Sequence, residues 1–316
     1  MADDAALDFD RHRSHLTGLA YRMLGSVAES EDIVQNAYLR WHDVDRHTVD
    51  NPKAYLSRVV TRLCLDRLKE ARHRRETYVG EWLPEPVVDR ASSATPPMED
   101  MAHDLSFALM LALERLSPLE RAAYLLHDIF DMSFDEVAAT LGRNTAACRQ
   151  LAARARRRVH DGRPRFSVTR DEGEEIAEAF LTASRSGDTA GLGHLLAEAA
   201  TLHSDGGGHK RAALRPIVGA DKICRFFAGL ARKAEGATPL WLKRLTINGL
   251  PGWVTVERDG TLQTTAVEVV DGRIAAIYVV RNPAKLDHLL DFVPAAVRAS
   301  IDNDSHRLGQ RRRRES

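Results

Sequence analysis

The sequence predicts a multidomain protein, two all-α modules followed by an α+β domain, and three observations carry that prediction. Helix-start signals with helical apolar periodicity recur up to about residue 160. A Pro/Ser-rich stretch at 79–100 interrupts them. From Val168 onward, helices give way to alternating apolar and polar runs separated by Asp-Gly turns. Helices followed by an antiparallel sheet give an α+β domain. A chain of 316 residues accommodates two or three domains at roughly 100–150 residues each.

In the first module, residues 8–78, Leu16, Leu19, Ala20, Met23 and Leu24 make one apolar face. Ser26 to Glu29 resembles a capping box, and Ile33, Val34, Ala37, Tyr38 and Trp41 form the next stripe. A third helix starts at Asn51-Pro52, with Pro in the turn that needs no N–H. Its apolar face is Tyr55, Leu56, Val59, Leu63 and Leu68. The stretch 79–100, with Trp82-Leu83-Pro84-Glu85-Pro86 and Ala91 to Pro97, reads as a linker.

The second module, 101–163, carries the sharpest local signal. Ser117-Pro118-Leu119-Glu120 and Ser133-Phe134-Asp135-Glu136 are two capped helix starts. Val137, Ala138 and Leu141 face inward, Gly142 makes the turn, and Arg143-Asn144-Thr145 opens the last helix. That helix points Leu151, Ala155 and Val159 inward and Thr145, Arg149, Gln150, Ala153, Arg156 and Arg157 outward. An Arg/Gln face beside one apolar stripe suits the DNA major groove. A solvated charged face is the bland alternative. Arg143, Arg149, Arg154, Arg156, Arg157, Arg158, Arg163 and Arg165 against the lone acid Asp161 decide for an anion-binding footprint. Arg163-Pro164 closes the module.

Beyond Val168, helices are expected at 172–186, 189–196 and 220–234, and strands at 240–247, 252–257, 261–270 and 273–280. Arg258-Asp259-Gly260 and Val270-Asp271-Gly272 are the hairpin turns. This domain covers 168–290, and 291–316, ending in Arg311 to Arg314, reads as a polar, partly disordered tail.

Composition bounds the function. The 45 basic and 45 acidic residues balance overall but segregate strongly. Cys64, Cys148 and Cys224 are far apart, which argues against disulfides and zinc and fits a reducing cytoplasm. Each is expected to be a small packed hydrophobe. No apolar run is long enough to span a membrane, and the acidic start (Asp3, Asp4, Asp8) is wrong for a secretory signal.

Two helical modules joined by a linker, the second a helix-turn-helix, resemble a bacterial RNA polymerase sigma factor of the extracytoplasmic-function type. Glu31 to Trp41 is similar to the family's core-polymerase-binding helix, Ala54 to Leu68 to its −10 helix, and Ser117 to Arg158 to its −35 module. Phe180-Leu181, Gly187-Asp188 and His203-Ser204-Asp205-Gly206-Gly207-Gly208 resemble a SnoaL-like (NTF2-like) cone domain. Together with Trp82 to Pro86 and Asn282-Pro283-Ala284-Lys285-Leu286, they resemble the SigJ-like group, in which that domain is fused to the sigma factor and regulates it. His209 departs from the group, which usually has Lys or Arg there; Lys210 follows it.

The resemblance implies the partners and sites. Region 2 offers Asp32, Gln35, Asn36, Leu39 and Arg40 to the β and β′ subunits of the polymerase core. Its −10 contacts are Asn51, Tyr55, Arg58, Arg62, Arg67 and Lys69, on a helix that also carries Lys53, Arg72, Arg74 and Arg75 against Asp66 and Glu70. The loop Asp45 to Asn51 holds an unpaired base, with Asn51 at the rim. Region 4 reads the −35 element with Arg143, Thr145, Arg149, Gln150, Ala153, Arg154 and Arg157; Arg149 and Gln150 carry base discrimination, and Arg156 to Arg158 touch phosphates. Trp82, Pro84, Asp205, Gly206, Gly207, Gly208, His209, Asn282, Pro283 and Lys285 form an interdomain regulatory set, with residues 203–210 and 282–286 clamping the linker and Trp82 meeting the glycines. His203 reads as a satisfied loop histidine before a catalytic one.

The function expected is therefore an alternative sigma factor: no enzyme, no cofactor, no metal, promoter DNA and core polymerase as partners, with a small-molecule ligand in the SnoaL-like pocket as a further partner. Two other classes compete. A helix-turn-helix regulator with a ligand-sensing domain leaves the −10-like helix unexplained. A SnoaL-like cyclase or hydrolase with a DNA-binding fusion lacks a strong catalytic constellation, although His203, Asp205 and His209 offer acid/base groups.

Overall fold

The computed structural model describes residues 2–45, 48–76, 78–88, 105–160, 169–233 and 238–301, with side chains omitted at 2–7, 71–76 and 160. The expectations for the side chains of Arg72, Arg74 and Arg75, for residues 46 and 47 of the Asp45–Asn51 loop, and for the 91–97 stretch, Arg163-Pro164 and the tail after Asp302 lie outside what is described. The chain divides into two compact units, Met1–Thr77 with Arg90–Arg163, and Tyr78–Asp89 with Pro164–Ser316.

In the first unit, helices α1 (Ala2–Leu24), α2 (Val27–His42) and α3 (Pro52–Glu76) share a core of Leu16, Leu19, Met23, Ile33, Val34, Trp41, Leu56, Val60 and Cys64. The Ser26 hydroxyl accepts from the Glu29 N–H at the start of α2, and Asn51 Oδ1 accepts from the Ala54 N–H at the start of α3. The face of α3 is rotated from the one expected. Val60 and Cys64 are buried and Leu63 is half-buried.

The rest of this unit comprises α4 (Phe107–Glu114), α5 (Pro118–Tyr124) running into a π turn (Leu125–Ile129), α6 (Phe134–Leu141) and α7 (Thr145–His160). Ser117 and Ser133 both form complete capping boxes, with Glu120 and Glu136 as predicted. Gly142 ends α6 at φ 62, a left-handed turn that suits glycine. The buried stripe of α7 is Cys148, Ala152, Ala155 and Val159, whereas the expected Leu151 is half-buried. Leu141 is likewise half-buried. Arg121, 3% exposed, donates to the carbonyls of Leu113 and Met23 and pairs with Glu114, so a buried guanidinium ties α5 to α1 and α4.

The second unit packs α8 (Arg170–Ser186), α9 (Thr189–Leu195) and α10 (Ala220–Lys233) on one face of a six-stranded sheet. Its strands are β1 (Leu196–Asp205), β2 (Ile217–Val218), β3 (Trp241–Ile247), β4 (Leu250–Val256), β5 (Leu262–Val270) and β6 (Arg273–Val280). Their order is β2-β1-β6-β5-β4-β3. The sheet is mixed, which corrects the antiparallel expectation: β1 runs parallel to β6, with His203 opposite Tyr278 and Asp205 opposite Val280. A parallel neighbour needs a long crossover, and here α10 and four strands intervene. Asn248 (φ 50) and Gly249 (φ 75) turn β3 into β4, an Asn-Gly hairpin the sequence reading passed over. Phe180, Leu202, Ile223, Trp253, Val267 and Ile277 fill the core between sheet and helices. After β6 come two 3₁₀ turns, Pro283–Lys285 and Asp287–Phe292, and the short α11 (Ala295–Arg298).

The three cysteines are free and buried, and burial raises each thiol above its ordinary value, as fits packed hydrophobes. Among the described residues no helix is long and apolar enough to cross a membrane.

Candidate functional site

The exposed surface of α7 is positioned by its caps. Asn144 Oδ1 accepts from the Ala147 N–H, and the Thr145 hydroxyl donates to Asp135, pinning the start of α7 to the start of α6. Of the residues assigned to the −35 element, Arg143, Arg149, Gln150, Ala153, Arg154 and Arg157 are exposed and Thr145 is half-buried. Arg149 lies over the Phe134 ring, 5.6 Å from its centroid. Arg156 and Arg158 differ from the rest. Arg156 pairs with Asp128, and Arg158 pairs at 2.9 Å with Glu120, the carboxylate that closes the Ser117 capping box. Burial opposes the charge on Glu120, but the Ser117 hydrogen bonds and Arg158 hold it below the usual carboxylate range. The expected phosphate cluster is therefore partly consumed in holding α7 to α5 and the π turn.

The expected −10 face also has partners within the chain. Asn51 caps α3 with its side chain. Arg58 lies over Tyr55, whose ring in turn meets Trp41 at 5.8 Å. Arg62 donates to the carbonyls of Thr140 and Ala139 at the end of α6. Arg67 pairs with Glu29 at 3.2 Å, and Lys69 with Asp66 at 2.9 Å. On α2, Asp32, Gln35, Asn36, Leu39 and Arg40 are all exposed. Leu39, 53% exposed, is an apolar side chain left uncovered on a polar face.

In the second unit the expected regulatory residues converge on residues 78–88. Asp205, fully buried at the end of β1, accepts from the Tyr78 hydroxyl at 2.6 Å, the Leu83 N–H at 2.9 Å, the Gly207 N–H at 2.9 Å and the Lys285 ammonium at 2.7 Å. Its backbone carbonyl accepts from Arg281 and Asn282. Lys285 also donates to the Leu83 carbonyl and sits 4.1 Å from the Trp82 ring centroid and 5.0 Å from that of Tyr78. Asn282 donates to the Tyr78 hydroxyl. Burial first, then the Asp205 charge, pushes the Tyr78 phenol up, so it stays a donor.

The glycines let this cradle close. A Cβ on Gly206 would strike the Lys210 carbonyl, and one on Gly207 (φ 60) would strike the Asn282 amide. Trp82 meets Lys285, a correction to the expected contact with the glycine loop; Val79 is what faces Gly208. Pro84 is buried, and Pro283 starts the 3₁₀ turn that aims Lys285. His209 is exposed, and only its backbone N–H closes the loop, onto Gly206.

Several cradle residues escaped the sequence reading. Asn248 exchanges two hydrogen bonds with the backbone of Val87, and His288 donates to the Pro86 carbonyl. His203 lies on β1, not in a loop; its Nδ1–H donates to Glu81 at 2.7 Å and its ring stacks on Tyr278. The Asn-Gly turn was a readable signal for Asn248. Nothing local marks Tyr78 or His288.

Elsewhere in this unit a groove of about 670 Å³ opens between α8 and α9, with Glu175, Glu178, Asp188 and His194 on its rim. Among the described residues no cluster of His, Cys, Asp and Glu could hold a metal ion.

Residues 9–74 match the Sigma-70 region 2 family model, and residues 106–159 match Sigma-70, region 4. The chain is 42% identical over 289 residues to the ECF RNA polymerase sigma factor SigJ of Mycobacterium tuberculosis, covering 88% of this chain and 92% of that one. It is 32% identical over 188 residues to the ECF RNA polymerase sigma factor SigG of the same species, covering 52% of this chain and 50% of that one. The crystal structure of M. tuberculosis SigJ superposes with a TM-score of 0.73 at 36% identity, covering 89% of this chain and 98% of that one. With both sigma regions matched and a relative 42% identical over most of its length, this chain belongs to the ECF RNA polymerase sigma factors.

Proposed function

We propose that this sigma factor directs core polymerase through α2, reads the −10 element with α3 and its preceding loop, and reads the −35 element with α7. The C-terminal domain modulates it by gripping residues 78–88. No chemical step belongs to the chain: promoter melting uses binding free energy, and nucleotide chemistry belongs to the polymerase. The observation that carries the modulating role is the grip of fully buried Asp205 on Tyr78, Leu83 and Lys285. Hydrogen bonds from Asp205 and Lys285 to Tyr78 and Leu83 hold this part of the linker at a fixed length, and linker length sets which −10 to −35 spacing two tethered modules span.

The test reconstitutes the full chain with core polymerase and measures initiation from a promoter library varied in spacer length. The wild-type chain initiates within a narrow spacer window, and Asp205→Asn widens or shifts it. An identical spacer profile for both rejects the modulating role. Tight binding to palindromic DNA as a dimer, with no initiation alongside core polymerase, supports an ordinary regulator instead.

A further inference from the structure

The geometry points to Phe134 as the residue that positions Arg149 for the −35 element, through a stack of three side chains, His127, Phe134 and Arg149. This rests on the reading of Arg149 as a base contact. Phe134 is the first residue of α6, fixed there by the Ser133 capping box. One face of its ring lies on the His127 imidazole, with centroids 3.8 Å apart and planes 29° from parallel. His127 is itself held, because its Nδ1–H donates to the Met132 carbonyl at 2.8 Å. The Arg149 guanidinium lies over the Phe134 ring, 5.6 Å from the centroid.

One turn earlier on α7, Thr145 donates to Asp135, the residue after Phe134. The first turn of α6 thus holds the exposed side of α7 at two points a helical turn apart. One is a hydrogen bond that sets the height of the helix; the other is a ring that sets the direction of its arginine.

The physical need is plain. A free arginine side chain has many rotamers, and ordering it on DNA costs entropy. A guanidinium already held over a ring loses less, and its planar fork matches a guanine O6/N7 pair. Phe134 is half-buried and Arg149 exposed, so the stack leaves the fork open to a ligand. Phe134 touches no DNA in this account; it acts through Arg149.

A double-mutant cycle in the reconstituted holoenzyme tests this. The probe is a promoter duplex selected by the holoenzyme from a randomised −35 library, with single base-pair substitutions. Phe134→Leu lowers affinity for the selected −35 element about two- to fivefold, the worth of an exposed cation–π contact. It also flattens preference at the same base pair that Arg149→Ala flattens. Phe134→Tyr, which keeps the ring, restores both, and Phe134→Leu adds nothing in the Arg149→Ala background.

An equal loss from Phe134→Leu with and without Arg149 overturns the positioning role, as does a Phe134→Tyr variant as impaired as Phe134→Leu. If Phe134→Leu unfolds the module, the Arg149 Nε–H resonance of the wild-type chain decides. A ring-current-shifted, slowed resonance relative to Arg154 supports the stack, and a random-coil position overturns it. A uniform loss across all −35 sequences from Arg149→Ala overturns the base-reading assignment, an observable separate from the cycle.

Discussion

The cradle around Asp205 and the exposed face of α7 use charge in opposite ways. Asp205 and Lys285 are 0% and 9% exposed at the side chain, 2.7 Å apart, and each has further hydrogen bonds to residues 78–88. Arg143, Arg149, Arg154 and Arg157 are exposed, and Arg149 lies over the Phe134 ring. Charge removed from water must be fully partnered or it destabilises the fold. Charge left in water contributes little to folding and stays available to an anion. The difference separates residues whose loss should break the protein from residues whose loss should change what it reads.

The largest break should come in the cradle. Asp205→Ala leaves the Lys285 ammonium buried without its carboxylate, and the expected cost is roughly 3–5 kcal/mol in denaturant unfolding of the second unit. Pairing it with Lys285→Met should recover only part of that, because it removes the stranded ammonium but leaves the Tyr78 hydroxyl and the Leu83 and Gly207 N–H groups without their acceptor. A single mutant within about 1 kcal/mol of wild type, a surface-pair magnitude, would show that the pair is not the lock its burial implies.

Titration sharpens the same contrast between the units. Burial first, then Lys53, His12 and Arg22, lowers His15 in the first unit from the ordinary histidine value of 6.5 to about 4. A depressed histidine means that the unfolded state takes up the proton first. Stability of the first unit is therefore intact above pH 6.5 and falls as pH drops toward 4, by up to about 3 kcal/mol. Glu268 in the second unit has the opposite sign. Burial raises its carboxyl, against the Tyr278 hydrogen bond and His203, so its stabilising neutral form is lost as pH rises above the usual carboxylate range. Trp41 is the only tryptophan of the first unit, so its fluorescence in a chain with the other three replaced by Phe follows that unit alone. His15→Gln should flatten its acid limb, and Glu268→Gln should leave that limb unchanged while flattening the second unit's slope above pH 4.5.

How much of this was legible depends on how far apart in sequence the partners lie. The capping boxes at Ser117 and Ser133 were readable because each is complete within four residues. The strands at 261–270 and 273–280 were readable from alternation and an Asp-Gly turn. The parallel pairing of β1 with β6 was not, because no local pattern records which distant strand lies alongside. Arg62 reads as a DNA contact from its helix alone, yet it reaches carbonyls of α6 far along the chain. The α7 stripe was read correctly at Ala155 and Val159 but missed Cys148 and Ala152, which are small, and took Leu151 at its half-buried edge instead. The group resemblance found Asp205, Asn282 and Lys285, but not that Tyr78 and the Leu83 backbone are what they hold.

On α7 the contrast predicts a change of reading without a change of fold. Arg149→Ala should leave thermal stability nearly unchanged and lower holoenzyme affinity by about 1–3 kcal/mol at one −35 base pair, the worth of a bidentate arginine–guanine contact. Promoter binding against base-pair substitutions measures it. Arg157→Ala should instead weaken all promoters alike and reduce the salt dependence of binding, as a phosphate contact does.

The smallest effect should come from an ion pair that looks as strong as the cradle's. Arg244 on β3 and Glu178 on α8 make two hydrogen bonds of 2.6 Å each, a bidentate fork of better geometry than Lys285 with Asp205. The hydrogen-bonded guanidinium holds Glu178 below the usual carboxylate range. Yet the two side chains are 64% and 46% exposed, so water and salt screen the attraction, and ordering two long side chains opposes it. Arg244→Ala should therefore cost no more than about 1 kcal/mol, and less in high salt. Bond lengths of 2.6 and 2.7 Å at opposite burial make the pairs a controlled comparison within one unit. A loss from Arg244→Ala as large as that from Asp205→Ala would mean that bond geometry, not removal from water, decides what a charge contributes here.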